Sequence, residues 1–166
     1  DLKTGGLLTP TPSMLITRQI NASYYTESDC PLWKKFLAEC FNNASETVNT
    51  IQRALGYTLT GSVKEEKLFF CFGYGRNGKS VFSNVLTQIL GDYGITAPAA
   101  MLMRRERDSA TNDFARLAGA RYVSANETRT DHRLDDLTLK SLVSTERMTA
   151  RYLHQEFFQF SPPFKL

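Results

Sequence analysis

Residues 73–80 read Gly-Tyr-Gly-Arg-Asn-Gly-Lys-Ser and match the spacing G-x-x-x-x-G-K-[ST] at every fixed position. Glycines in this pattern let the backbone turn tightly, so that its N–H groups come within hydrogen-bonding reach of phosphate oxygens. Lys79 can reach the β- and γ-phosphates of a nucleotide, and the Ser80 hydroxyl can ligate Mg²⁺. The loop therefore predicts a nucleotide site. Its predicted contact residues are Gly73, Gly75, Arg76, Asn77, Gly78, Lys79, Ser80 and Val81.

The segments on either side of this loop have the patterns that such a site needs. Residues 67–72 form a short, nearly continuous apolar run, which predicts a strand buried on both faces. A helix is predicted directly after the loop, ending at Gly91, and its N-terminus would add partial positive charge beside the phosphates. The residues expected on the buried side of that helix are Val81, Val85, Leu86, Ile89 and Leu90.

A nucleotide hydrolase of this type also needs an acidic group at the end of a neighbouring strand, to hold the metal or activate the attacking water. Residues 121–127, Arg-Tyr-Val-Ser-Ala-Asn-Glu, predict a strand that ends at Glu127. Asn126 stands where many ATPases carry Asp, which leaves Glu127 as the candidate carboxylate. We therefore expect Lys79 and Glu127 to be catalytic. Ser80 is the expected direct ligand of Mg²⁺, and Glu127 is expected to act on the metal through water.

The rest of the pattern predicts an α/β protein in two parts. Residues 1–62 are expected to form an N-terminal segment, with a short strand at 14–16, followed by a helical subdomain. Its first helix starts at Pro31, and its second runs from Ser45 to Gly56. Residues 63–166 are expected to form the nucleotide-binding core, in which Asp135 and Asp136 open a further helix. Strand, loop and helix followed by more strand and helix is an α/β signature.

Composition excludes several classes of protein. The chain has 42% hydrophobic residues and a net charge of +3 from 20 basic and 17 acidic residues, which is ordinary for a globular domain. This charge permits nucleic acid as a partner without favouring it. No window of 18 apolar residues is present, so no membrane partner is expected. Cys30, Cys40 and Cys71 predict reduced thiols in the core rather than disulfides or a zinc site.

Several further short sequence segments indicate which family the chain resembles. They are the helix at 31–37, Gly-Tyr-Thr-Leu-Thr-Gly at 56–61, the Arg-Asn-Gly-Lys-Ser form of the loop, Leu-Gly-Asp-Tyr at 90–93, residues 117–127, Leu-Lys at 139–140 and Thr-Ala-Arg at 149–151. With these pieces the chain resembles the superfamily 3 helicase domain of phage and plasmid primase-helicases, the satellite-phage and poxvirus-like primase C-terminal family. The resemblance covers about residues 29–166.

The resemblance implies a P-loop NTPase (AAA+-like) core sheet flanked by helices. It also implies an ATP-dependent motor that unwinds single-stranded or forked DNA as a homo-oligomeric ring, commonly a hexamer, in the cytoplasm of an infected host cell. Its cofactors would be ATP and Mg²⁺. The stretch 140–160 would carry a hairpin that faces DNA, and its mixture of cations and aromatic rings suits a single strand. The DNA-contact candidates are Lys140, Arg147, Arg151 and His154.

Two features separate this sequence from a complete motor. The family carries a further strand with a polar sensor residue and then an arginine that reaches the neighbouring subunit's ATP, and this sequence ends at 164–166 where that strand should begin. We therefore expect a truncated core with little activity by itself. Two alternatives stay open: a small P-loop kinase or nucleotidyl transferase, and a nucleotide-binding module without catalysis. Arg104, Arg105 and Arg107 are the one lid-like feature that favours the kinase, and they could equally form a solvated or subunit-facing surface.

Overall fold

The computed structural model describes residues 1–103, 111–126 and 133–166. Short 3-10 turns occupy Pro12–Met14, Gly91–Tyr93 and Ala99–Leu102. The helices are α1 (Pro31–Cys40), α2 (Ser45–Thr60), α3 (Lys79–Leu90), α4 (Thr111–Ala115) and α5 (Asp136–Val143), and the strands are β1 (Gly94–Pro98), β2 (Tyr122–Asn126), β3 (Met148–Ala150) and β4 (Phe158–Phe160). The described part of the chain is thus a mixed α/β arrangement.

Two small sheets carry the strands. β1 and β2 are parallel, in a register that pairs Gly94 with Tyr122 and Pro98 with Asn126. Strands β3 and β4 form an antiparallel hairpin that pairs Met148 with Phe160. A parallel pair needs a crossover connection, and the chain between β1 and β2 includes α4.

The C-terminal residues extend the parallel sheet beyond β2. Lys165 N–H donates to the Arg121 carbonyl at 3.0 Å, and Val123 N–H donates to the Lys165 carbonyl at 2.9 Å. Phe69 N–H in turn donates to the Leu166 carbonyl at 2.8 Å. Backbone pairing therefore runs in the order β1, β2, C-terminal residues, and then the segment that precedes the glycine-rich loop.

The core lies where this sheet meets α4 and α5. Val123 of β2, Leu142 of α5 and Phe164 are at most 1% exposed. Ala97, Met101, Leu102, Leu117 and Ala120 complete the buried cluster. Apolar side chains from elements far apart in sequence share this cluster, and their burial holds the sheet and helices together.

Local start and stop signals predict three of the helices well. α1 begins at Pro31, α3 ends before Gly91, and α5 begins after Asp135, whose carboxylate accepts a hydrogen bond from Thr138 N–H. The predicted end of α2 at Gly56 is wrong. That helix ends at Thr60. Gly61 is its C-cap residue, and the φ of +66° there suits glycine.

The predicted buried strand at residues 67–72 is not formed, and the continuous core sheet expected around the loop is reduced to two small sheets. Phe69, Phe70 and Phe72 are 48%, 66% and 92% exposed. The one backbone hydrogen bond found for this segment in the described part of the chain joins Phe69 to Leu166. An apolar run becomes a buried strand only when neighbours cover both of its faces, and the described residues do not cover these.

The structure also makes smaller corrections. Residues 14–16 form no strand, because the 3-10 turn is followed by Leu15 at φ +49°. Cys30 and Cys71 are exposed and Cys40 is half-buried, although all three thiols are free as predicted. Of the five residues expected on the buried side of α3, Leu86 and Leu90 are buried, whereas Val81 and Ile89 are exposed; Val85 is intermediate.

Among the described residues, no helix combines the length and the apolar character that a membrane crossing requires.

Candidate nucleotide-binding site

The loop at 73–78 turns through backbone conformations that favour glycine. The φ angles of Gly73, Arg76 and Gly78 are +146°, +61° and +85°. A Cβ atom at Gly73 would overlap Asn77 Nδ2, and one at Gly78 would lie 2.5 Å from Cys40 Sγ. Both ends of the loop thus have backbone angles that glycine favours, and at Gly78 the Phe36 ring also lies close to the position of a Cβ.

Lys79 folds back over this loop. Its Nζ donates to the Gly73 carbonyl at 3.0 Å and to Asn77 Oδ1 at 2.7 Å, with the Tyr74 carbonyl 3.5 Å away. Three of the predicted contact residues, Gly73, Asn77 and Lys79, are thus brought together. The ammonium group lies at the mouth of the loop, where it can meet an anion.

The first turn of α3 supplies backbone donors at the same place. Gly78 is the N-cap residue and gives no side-chain cap, so the first N–H groups of the helix have no partner of that kind. Lys79, Ser80 and Val81 form this turn, and Ser80 and Val81 are exposed. Unsatisfied N–H groups and the helix dipole together favour an anion here.

The donor set fits a nucleotide phosphate with Mg²⁺. Mg²⁺ takes hard oxygen ligands and keeps several waters, so one exposed hydroxyl, that of Ser80, is enough protein ligation beside the phosphates. Among the described residues, no cluster of three His, Cys, Asp or Glu side chains offers a separate protein-only metal site. A metal at this loop would therefore depend on the phosphates for its other ligands.

Helix α1 lies against the base of the loop, a contact that sequence reasoning missed. Trp33 stacks on Phe82 of α3 at 5.7 Å between ring centroids, and Trp33 and Phe36 stack at 5.4 Å. Two Phe36 ring carbons lie 3.1 and 3.2 Å from the position of a Cβ at Gly78. The spacing of Trp33, Phe36 and Cys40 indicates one helix face but not its partner, because those contacts join residues far apart in the sequence.

The predicted strand before the candidate carboxylate is present as β2, which ends at Asn126. Within the described residues, β1 and α4 lie between the loop helix and β2 along the chain. Glu127 itself lies outside the described residues, as do Arg104, Arg105, Arg107, Asp131 and His132. The role of Glu127 stays a prediction.

The predicted hairpin is present, and its loop carries two of the DNA-contact candidates. Arg151 directly follows β3, and its guanidinium carbon lies 4.7 Å from the centroid of the Phe157 ring. His154 lies in the loop at φ +61°. Tyr152 stacks on Phe158 at 5.7 Å and donates its hydroxyl hydrogen to the Ala115 carbonyl, which ties the loop to α4.

All four DNA-contact candidates are exposed. Lys140 lies in α5 and Arg147 directly precedes β3. Within the described ranges, no hydrogen bond or ion pair joins any two of them. A cation on one side of a loop of this kind and exposed rings beside it could contact a backbone phosphate and a base.

Comparison with known proteins gives one family-model match and a group of similar viral proteins. Residues 1–42 match a family model described as D5 N terminal like. The sequence is also similar, at low identity, to viral proteins that are named as helicases and primases.

Three such relatives match between 66% and 78% of the chain. "Putative helicase 022R" of frog virus 3 is 30% identical over 115 residues, 66% of this chain and 12% of the relative. "Putative helicase L207/L206" of Acanthamoeba polyphaga mimivirus is 29% identical over 113 residues, 67% of this chain and 12% of the relative. A "Putative primase" of African swine fever virus is 27% identical over 137 residues, 78% of this chain and 14% of the relative. The chain thus matches less than a sixth of the length of each.

Proposed function

We propose that this chain is the nucleotide-binding part of a replication primase-helicase of the superfamily 3 type, which binds ATP with Mg²⁺ at residues 73–80 and hydrolyses it to move along and unwind DNA. The observation that carries the proposal is the glycine-rich loop at the N-terminus of α3, with the Lys79 ammonium folded over it. The similarity to viral proteins named as helicases and primases supports the choice of a motor over other nucleotide-binding proteins.

Each residue of the proposed site has its own role in binding or hydrolysis. The loop N–H groups and Lys79 bind the β- and γ-phosphates, and Ser80 holds the metal. Mg²⁺ supplies neutralisation of phosphate charge. Glu127, which follows β2 in the sequence, accepts a proton from the attacking water. Lys140, Arg147, Arg151 and His154 contact the DNA backbone or bases from the exposed side of α5 and the hairpin.

Assembly as a homo-oligomeric ring, commonly a hexamer, belongs to the same proposal. A neighbouring subunit would then supply the arginine that stabilises the charge of the transferred phosphoryl group. An arginine of this kind is worth about 10³–10⁵ in rate in related enzymes. We therefore expect residues 1–166 alone to bind nucleotide but to hydrolyse it very slowly.

Replacement of Lys79 by alanine tests the phosphate site. Two charge-assisted hydrogen bonds of about 1.5 kcal/mol each would be lost, so the dissociation constant for Mg·ATP should rise about 100-fold or more, measured by titration calorimetry. Lys64→Ala removes an exposed lysine outside the loop and serves as the matched control, with unchanged affinity expected. Equal Mg·ATP affinity in Lys79→Ala and wild type would contradict the proposal.

The products separate a motor from a kinase. A helicase motor releases inorganic phosphate from ATP in a DNA-stimulated manner. A kinase or nucleotidyl transferase would instead need an acceptor and would leave a modified small molecule, which mass spectrometry of the reaction mixture would detect.

A further inference from the structure

We propose that α1 positions the phosphate loop, and that Trp33 is the positioning residue through which the N-terminal segment sets the affinity for nucleotide. This inference rests on the proposed function, because it names what controls that same site. Trp33 acts through Phe82, on which it stacks, and through Phe36, whose ring lies beside Gly78.

The contacts form a continuous stack. The Phe36 and Trp33 ring centroids are 5.4 Å apart with an angle of 27° between the rings, and Trp33 and Phe82 are 5.7 Å apart at 17°. Leu37, the buried residue of α1, is 5% exposed and follows Trp33 by one helical turn, so the same face of the helix packs against the rest of the molecule. Stacked rings at these distances attract one another beyond their simple burial.

This stack holds both ends of the first hydrogen bond of α3. Phe82 N–H donates to the Gly78 carbonyl at 2.9 Å, which closes the first turn. Trp33 packs on Phe82, whereas Phe36 and Cys40 pack on Gly78. The residues between those ends, Lys79, Ser80 and Val81, supply the ammonium, the hydroxyl and the backbone donors of the site.

A shift of α1 would therefore move the donors of the phosphate site relative to one another. Gly78 has a left-handed φ of +85° and a Cβ position already filled by Cys40 Sγ and the Phe36 ring. Gly78 has this conformation with α1 packed against it. Binding energy from a phosphate depends on donors held in position beforehand, because ordering them during binding costs affinity.

The link also joins parts of the chain that are distant in sequence. Trp33 and Phe36 fall in the 1–42 region that matches the D5 N terminal like model, whereas Phe82 belongs to the loop helix. Movement of the N-terminal region would be transmitted to the nucleotide site through the rings of Trp33 and Phe36. The same path works in reverse, since coupling between two sites is reciprocal for binding.

The fluorescence of Trp33 provides the direct test, because it is the single tryptophan of the sequence. Mg·ADP is titrated into the wild-type chain, and Trp33 emission and calorimetric heat are recorded in parallel. We expect the emission to change and to saturate with the same dissociation constant as the heat. A residue with a purely structural role far from the site would not report nucleotide in this way.

Three variants complete the experiment. Trp33→Ala should raise the dissociation constant for Mg·ADP about three- to tenfold, the equilibrium factor expected from one lost stacking contact, whereas Trp33→Phe should restore most of the affinity. Leu32→Ala changes a residue of the same helix that is 83% exposed, and it should leave the dissociation constant for Mg·ADP unchanged. An unresponsive wild-type Trp33, or an unchanged dissociation constant in Trp33→Ala, would overturn the inference although nucleotide binds. Absence of any calorimetric binding by the wild type would overturn the proposed function, and this inference with it.

Discussion

The proposed phosphate site depends on one ammonium group and the atoms that hold it. Lys79 Nζ has the Gly73 carbonyl and Asn77 Oδ1 as its near partners, so the loop orients the charge by its own backbone and by one amide side chain. Phosphate oxygens can compete for the same donors, since an ionised acceptor makes stronger hydrogen bonds than a neutral one. The residues of the loop thus provide both the positive charge of Lys79 and the oxygen atoms that orient it.

Replacement of Glu127 by glutamine separates binding from hydrolysis. Glutamine keeps the shape of the side chain but cannot accept a proton from water, so hydrolysis should fall by about 100-fold or more in a ring-forming parent protein that contains this chain. The dissociation constant for Mg·ATP should stay within about threefold of the wild-type value, because a carboxylate acting through water makes no direct phosphate contact. Phosphate release and calorimetry measure the two effects.

Asp131 and Asp113 are the alternative candidates for the base, so Asp131→Asn and Asp113→Asn are measured beside Glu127→Gln. If Glu127→Gln hydrolyses ATP within a few-fold of the parent while either aspartate variant loses hydrolysis, then that aspartate is the base and Glu127 is not.

At the scale of elements, a strap of residues 18–21 fastens the N-terminal segment to the end of the loop helix. Arg18 donates from Nη1 to the Asp92 carbonyl and from Nη2 to the Ala118 carbonyl, both at 2.6 Å. Asn21 N–H donates to the Ile89 carbonyl at 2.8 Å, and Gln19 N–H donates to Asp92 Oδ2 at 3.1 Å. One arginine therefore joins the strap to the turn after α3 and to the turn before β2.

Arg18→Ala should lower the free energy of unfolding by about 2 kcal/mol, because two carbonyl groups lose a charged donor and one of the two bonds is partly buried. Urea unfolding followed by circular dichroism measures the change. Arg53→Ala is the matched control, since its guanidinium makes one long hydrogen bond of 3.4 Å to Thr50 on the exposed side of α2. It should change stability by less than about 0.5 kcal/mol. Equal effects of the two substitutions would show that the two Arg18 hydrogen bonds add no more to stability than an exposed arginine does.

Elements whose limits are set by neighbouring residues could be predicted from the sequence, and those set by distant partners could not. Pro31 and Asp135 mark helix starts through their own backbone chemistry, and the loop motif fixes the start of α3. Residues 67–72 have the composition of a buried strand, but burial depends on chain segments far away in sequence. The same holds for the strap at Arg18 and for the Trp33–Phe82 stack, whose partners lie 74 and 49 residues further along the chain.

At the scale of the whole molecule, the described fold places small sheets around one core and leaves an aromatic segment at their margin. The parallel sheet grows from β1 through β2 to the C-terminal residues, and the segment 67–72 adds to that margin by the single bond from Phe69 to Leu166. Phe70 and Phe72 are 66% and 92% exposed directly before the phosphate loop. Contiguous exposed rings next to unpaired backbone groups form a surface on which another chain can add.

We therefore expect residues 1–166 to self-associate through segment 67–72. In sedimentation velocity, the weight-average sedimentation coefficient should rise with protein concentration for the wild type. The double variant Phe70→Lys with Phe72→Lys should reduce that rise, because charged side chains at a sheet margin oppose pairing with a second chain. The control is Leu2→Lys with Leu7→Lys, which adds the same two charges at N-terminal leucines that are 65% and 72% exposed. If both double variants reduce the rise equally, then added net charge rather than the aromatic segment governs association. A wild type whose sedimentation coefficient does not depend on concentration would exclude self-association altogether.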